Sequence, residues 1–175
     1  MLGLEAAGVG ATAKHFPGLG RVGADTHHFA ATLDASVEDL EASDWRPFRD
    51  VLSHSKAHLM VGHVALAAVD PDRPASHSKR VIDGLVRGKW GFQGVVMTDD
   101  LVMGAIYGGN VCAAVVEALN AGADLLLVAY DGAQFYRVFD CALQAYRRGT
   151  LDPKMLRASE ARLMRAAGAA AAASM

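Results

Sequence analysis

The chain has 175 residues, 52% hydrophobic and 21% charged, and its 17 basic against 19 acidic side chains leave a formal charge of −2. This composition excludes disorder over most of the length, and it excludes the basic surface that nucleic acid or an anionic membrane would demand. It fits one domain that buries roughly 70% of its unfolded surface without disulfides or metals, so the expected partner is small or neutral.

The predicted elements follow in chain order. Four apolar runs, residues 9–13, 58–62, 94–97 and 124–129, read as short strands buried on both faces, as in a parallel sheet covered by helices. Between them lie helical segments. Ser36 is a candidate N-cap with Glu38 and Asp39 in the first turn, and Ser78 opens a segment through Val81, Ile82, Leu85 and Val86. A third helix spans 111–120 and stops at Gly122, a fourth follows Gly132, and a fifth starts at Asp152–Pro153, with aspartate as cap and proline in the first turn. The order β-α-β-α-β-α-β-α-α predicts right-handed βα units on a parallel sheet. The Ala-rich residues 166–175 form a tail beyond a domain of residues 1–165.

Two other readings come from what is lacking. Cys112 and Cys141 have no CxxC spacing and are expected as buried, reduced thiols. Residues 1–5 lack the charged and apolar regions of a signal peptide, and no apolar run approaches the about 20 residues that cross a bilayer. A cytoplasmic protein without membrane contact is therefore the expectation.

Polar groups sit at the carboxyl end of every predicted strand: Lys14 and His15, His63, Thr98 and Asp99, and Tyr130 and Asp131. An open doubly wound sheet gathers its site at one switch point, whereas a (β/α)8 barrel draws on several strands at that face. The pattern favours a partial (β/α)8 TIM barrel of about four βα units.

Two constellations could carry chemistry. In the first, Lys14 to Gly20 reads KHFPGLG and is followed by Asp25-Thr26-His27-His28. Asp25 could orient the His27 ring and make it a proton-transfer group near neutral pH, or the two could be a capping aspartate beside a surface histidine. In the second, Gly94 to Leu101 reads GVVMTDDL. Adjacent carboxylates on a strand point to opposite faces, so one of Asp99 and Asp100 can face a cleft while the other caps the following turn. A carboxylate in such a cleft can attack an anomeric carbon; the alternative is a pair of turn-forming aspartates. His54, His58 and His77 have no informative partners, and HxH, HExxH, GxGxxG, P-loop and GxSxG patterns are lacking, so neither metal nor cofactor is expected.

At these constellations the chain resembles glycoside hydrolase family 3, in its β-N-acetylhexosaminidase branch. The family's KHFPGHG and D-S-H stand here as Lys14 to Gly20 and Asp25 to His27, and its GVVxSDDLxMxA as Gly94 to Leu101 with Met103 and Ala105. Pro74 to Ser78 with Val81, Ile82, Gly91 and Phe92 resembles its PATLS…LR…GF stretch, and Ala121 to Asp124 its AGAD turn. The resemblance implies a retaining exo-glycosidase acting on terminal β-linked N-acetylglucosamine, commonly in peptidoglycan fragments. Asp99 would be the nucleophile, His27 the acid/base oriented by Asp25, and Lys14 and His15 substrate contacts; His63, at the end of an apolar run, is a further candidate contact, with a hydrogen-bonded core histidine as the alternative. Leu19 departs from the family's second histidine, and Thr26 from its serine. The family's barrel begins upstream, and its first half supplies an acidic and an arginine contact. The chain is thus expected to be the C-terminal half of the barrel, with open edges that invite self-association. Alternatives at this stage are a non-catalytic fragment or interaction module, a β-glucosidase, or a phosphorylase, since a neutral histidine repels incoming phosphate less than a carboxylate would.

Overall fold

In the computed structural model, which describes residues 1–26, 28–103 and 110–173, the four expected strands form one sheet. Its order is β1 (Thr12–Phe16), β3 (His58–Val61), β6 (Val96–Asp100) and β7 (Leu125–Leu127), and every neighbouring pair is parallel. The registers Ala13↔Leu59, Leu59↔Val96 and Met97↔Leu125 align the strands, so their carboxyl ends share one edge.

The helices pack outside this sheet. After β1 come α2 (Val37–Ala42) and α3 (Arg46–His54); after β3, α4 (Arg80–Lys89); after β6, α5 (Val111–Ala121); and after β7, α6 (Gln134–Arg147) and α7 (Pro153–Ala173). A short α1 (Leu2–Ala6) precedes β1. The caps follow the sequence signals. Ser36 Oγ accepts from Asp39 N at 3.1 Å, Asp152 Oδ1 accepts from Lys154 N at 2.8 Å, and Gly122 ends α5 at φ 103°. Asn110 adds a cap at α5, its Oδ1 accepting from Cys112 N and Ala113 N. Leu33, Leu40, Trp45, Leu59, Val61, Val81, Ile82 and Val96 are almost wholly buried and fill the sheet–helix layer. Among the described residues no helix is long and apolar enough to cross a membrane.

Several expectations are corrected. The first strand lies at Thr12–Phe16 rather than residues 9–13, because its ladder with β3 runs on to Phe16↔Val61; Lys14 and His15 are therefore within the strand. The helix opened by Ser36 is two helices. The chain breaks at Ser43 (φ −133°, ψ −83°), and Trp45 turns inward to donate from Nε1 to the Pro17 carbonyl at 3.0 Å. The segment after Ser78 winds as a π-helix, with Trp90 N donating to Leu85 O at 2.9 Å. A second sheet, β2 (Ala31–Leu33), β4 (Val64–Leu66) and β5 (Asp70–Pro74), is built from the segments after β1 and β3. Cys112 and Cys141 are not free thiols: α5 and α6 lie side by side and bring their Cα atoms to 5.0 Å in a disulfide.

Candidate active site

Alternation along β6 separates its two carboxylates. Val96, Thr98 and Asp100 are buried against the helices, whereas Met97 and Asp99 share the less covered face. Asp100 is spent on structure: Oδ1 accepts from Val102 N at 3.1 Å and Oδ2 from Tyr130 N at 2.7 Å, which caps the turn after β6 and ties it to the end of β7. Asp99 accepts from Asp100 N through Oδ1 at 2.9 Å, and its Oδ2 stands 3.7 Å from His15 Nε2. The Asp99 side chain is 14% exposed and that of His15 29%, so both are open to a ligand while held by the strands.

His15 on β1 and Asp99 on β6 are separated in the sheet by β3, and the residue after β3 is Gly62. A Cβ there would stand 3.4 Å from His15 Cβ and 3.6 Å from the Phe16 carbonyl oxygen, ordinary van der Waals distances. The Lys14–His15 and Phe16–Pro17 peptide bonds are both cis. Beyond Phe16 the loop is pinned from beneath. Trp45 holds Pro17, Gly18 turns at φ 103°, and Arg21 binds Asp44 at 2.9 Å and Ser43 at 3.0 Å. The Arg21 hydrogen bond holds the Asp44 carboxyl below its usual range. Phe16, Phe48, Trp45 and Trp90 form an aromatic cluster under the loop, with centroid distances of 5.0–5.7 Å. Leu19 packs against the core beside it.

His63 is only 2% exposed. Its Nε2 lies 2.9 Å from the Asp100 carbonyl and its Nδ1 2.7 Å from Ser76 Oγ. A carbonyl can only accept, so Nε2 carries the hydrogen and the Ser76 hydroxyl donates to Nδ1. Burial pushes the His63 pKa down, against the Asp100 hydrogen bond and the charges of Asp99 and Asp100. His77 packs 5.7 Å from His63 between ring centroids, and burial with the nearby His63 lowers its pKa to about 3. Both rings are therefore neutral at pH 7.

Lys14 and Asp25 are exposed, and the Asp25 carbonyl accepts from His28 N and Phe29 N. His27 lies outside the described residues. The described geometry thus joins His15, Asp99 and, beneath them, His63. Sequence reasoning passed over Ser76, His77 and Trp45. Ser76 and His77 stand within the Pro74 to Ser78 stretch already singled out, and that stretch could have pointed to them. Among the described residues no group of three or more His, Cys, Asp or Glu is disposed to hold a metal ion.

Parallel strands that aim a carboxylate and an imidazole from their carboxyl ends, with helices outside, define the (β/α)8 class of site. Comparison with known proteins gives the family. The model of the glycosyl hydrolase family 3 N-terminal domain matches residues 1–166, and the chain belongs to that family. A β-hexosaminidase of Tolumonas auensis is 39% identical over 140 residues, covering 79% of this chain and 42% of the relative. One from Stenotrophomonas maltophilia strain R551-3 is 40% identical over 155 residues, covering 88% and 44%. Among solved structures, a family 3 β-N-acetylglucosaminidase from Paenibacillus sp. FPU-7 superposes with a TM-score of 0.92 at 37% identity, covering 97% of this chain and 33% of that one. The β-N-acetylglucosaminidase of Thermotoga maritima superposes with 0.85 at 28% identity, covering 94% and 36%. The chain therefore spans less than half the length of these relatives, and its four βα units are part of a TIM-barrel fold.

Proposed function

We propose that the chain carries the catalytic end of a retaining exo-glycosidase for terminal β-linked N-acetylglucosamine, with peptidoglycan-type fragments as substrates. The observation that carries this reading is Asp99: a partly exposed carboxylate at a strand's carboxyl end, beside an imidazole, next to a second carboxylate already consumed in capping. The names of the similar β-hexosaminidases and β-N-acetylglucosaminidases support the substrate class.

In the first step an Asp99 oxygen bonds to the anomeric carbon while the glycosidic C–O bond breaks, and His27 gives its proton to the leaving oxygen. In the second, His27 takes a proton from water, the water oxygen bonds to the anomeric carbon, and the Asp99 carboxylate is released. Asp25 orients His27, and an imidazole beside a carboxylate cycles between these states near neutral pH with little tuning. Lys14 and His15 contact sugar hydroxyls. His63 was expected as a further contact; with both ring nitrogens committed to Ser76 and Asp100, we assign it instead to holding the Asp99–Asp100 turn.

Hydrolysis of a chromogenic N-acetyl-β-glucosaminide by the purified chain tests this reading. Asp99→Asn should lower kcat by at least ~1,000-fold, since the loss of a covalent nucleophile costs several kcal/mol of barrier. Turnover equal to wild type in that variant contradicts the assignment. For location the discriminator is the Cys112–Cys141 disulfide, because such bonds persist in oxidising compartments and are rare in the cytosol. Thiol alkylation in fractionated cells separates the cases, free thiols supporting the cytoplasmic expectation.

A further inference from the structure

At the end of the sheet opposite Asp99, the segments leading into β1, β3 and β6 and the later turns of α7 line an open cavity of about 940 Å³. Val95 lines it and immediately precedes β6, four residues before Asp99, so at about 3.3 Å per residue the two ends are roughly 13 Å apart. The volume falls within the range usual for small-molecule sites.

Its walls are cationic although the chain as a whole carries −2. Arg49, Lys56, Lys89, Arg162 and Arg165 line it, against Glu5 and Asp50. Lys89 is matched by Glu41 at 2.6 Å and Arg162 by Asp124 at 2.9 Å. Arg49, Lys56 and Arg165 form no ion pair among the described residues. Of the two acids, Glu5 accepts from Lys56 N at 2.5 Å and Asp50 lies 3.3 Å from His54 Nδ1. His58 and Trp90 also line it, although His58 Nδ1 and Trp90 Nε1 are themselves buried away from the cavity.

We propose that this cavity binds a phosphorylated small molecule, its phosphate oxygens taken by Arg49, Lys56 and Arg165. Guanidinium forks and an ammonium recognise phosphate through charge-assisted hydrogen bonds, and Trp90 with Phe92 supplies an apolar wall for the rest of the molecule. The site is separate from the carboxyl-end cleft and does not depend on the glycosidase reading. A ligand there stabilises the folded chain by mass action.

Calorimetric titration of the full chain, at constant ionic strength set with sodium chloride, tests the proposal. Three probes are used: sodium pyrophosphate, a hexose 6-phosphate and a nucleoside monophosphate. Saturable binding of at least one is expected, and the tightest arm tells a free anion from a sugar or nucleoside ester. Arg49→Ser with Arg165→Ser should weaken it at least ~tenfold, since two charged hydrogen-bond donors are lost. Both arginines are exposed, so this variant keeps the fold, which circular dichroism checks. Asp99→Ala should leave binding unchanged. Absence of saturable binding for all three probes, binding indifferent to the double substitution, or binding lost in Asp99→Ala overturns the proposal.

Discussion

Replacing Asp124 by alanine removes the anion at the centre of a buried cluster. The carboxylate is fully buried; Oδ2 accepts from Arg87 Nη2 at 2.7 Å and from Val96 N at 2.8 Å, and Oδ1 accepts from Arg162 Nε at 2.9 Å. The two guanidinium side chains are each only 9% exposed. Burial lowers the Arg87 pKa to about 10, against the pull of Asp124. Asp124 thus joins the start of β6 to α4 and α7. Truncating one member of a buried ionic group costs about 3–5 kcal/mol, because the remaining charges stay desolvated without compensation. At about 2–4 °C per kcal/mol for a chain of this size, Asp124→Ala should lower Tm by roughly 6–20 °C. Urea unfolding should show the same loss with an unchanged m-value. If uncompensated charge is the cause, Arg87→Met added to Asp124→Ala recovers part of the loss. A fall below about 1 kcal/mol, or a double variant no more stable than the single, refutes the reasoning.

Further outcomes follow from the same structure. His77 is neutral when folded, with a pKa of about 3 against 6.5 when unfolded; the unfolded chain therefore binds the proton first, and stability present above pH 6.5 is lost as pH falls towards 3. From pH 7 to 5 this costs about 2 kcal/mol for His77 alone; His63, shifted in the same direction, steepens it, and His77→Asn should flatten the stability–pH curve. Opening the Cys112–Cys141 bond, which spans a sequence separation of 29, should cost about 3–4 kcal/mol on the chain-entropy account. Melting with and without reductant measures it, Cys112→Ser providing the reduced reference. Trp45→Phe keeps the aromatic stacking but removes the donor to the Pro17 carbonyl, so about 1 kcal/mol of stability should go, together with turnover that depends on the position of Lys14 and His15.

What was legible in the sequence was what local chemistry dictates. The apolar runs at 58–62 and 94–97 became the central strands, Ser36, Asp152 and Gly122 capped their helices, and Asp99 and Asp100 divided into a half-open and a capping carboxylate as strand alternation requires. What was missed depends on partners distant in the chain. The strands of the second sheet are three to five residues long and gain their pairing from each other, so no local periodicity marks them. The strand at Thr12–Phe16 was misplaced because its polar Lys14 and His15 are tolerated beside a cleft, where a core strand would exclude them. Cys112 found Cys141 only through the packing of α5 on α6, and His63 found Ser76 only through the segment that folds back after β5. In the candidate site the residue types were readable, whereas the His15–Asp99 approach required the sheet order that puts β3 and Gly62 between them.

The central claim is that Asp99 bonds covalently to the sugar. Rapid acid quench during turnover of an N-acetyl-β-glucosaminide, followed by proteolysis and mass spectrometry, tests it most directly. The account predicts a mass gain of one N-acetylhexosaminyl group on the peptide carrying Asp99, lost in Asp99→Ala. An adduct on any other residue, or steady hydrolysis that inverts the anomeric carbon without an adduct, contradicts it.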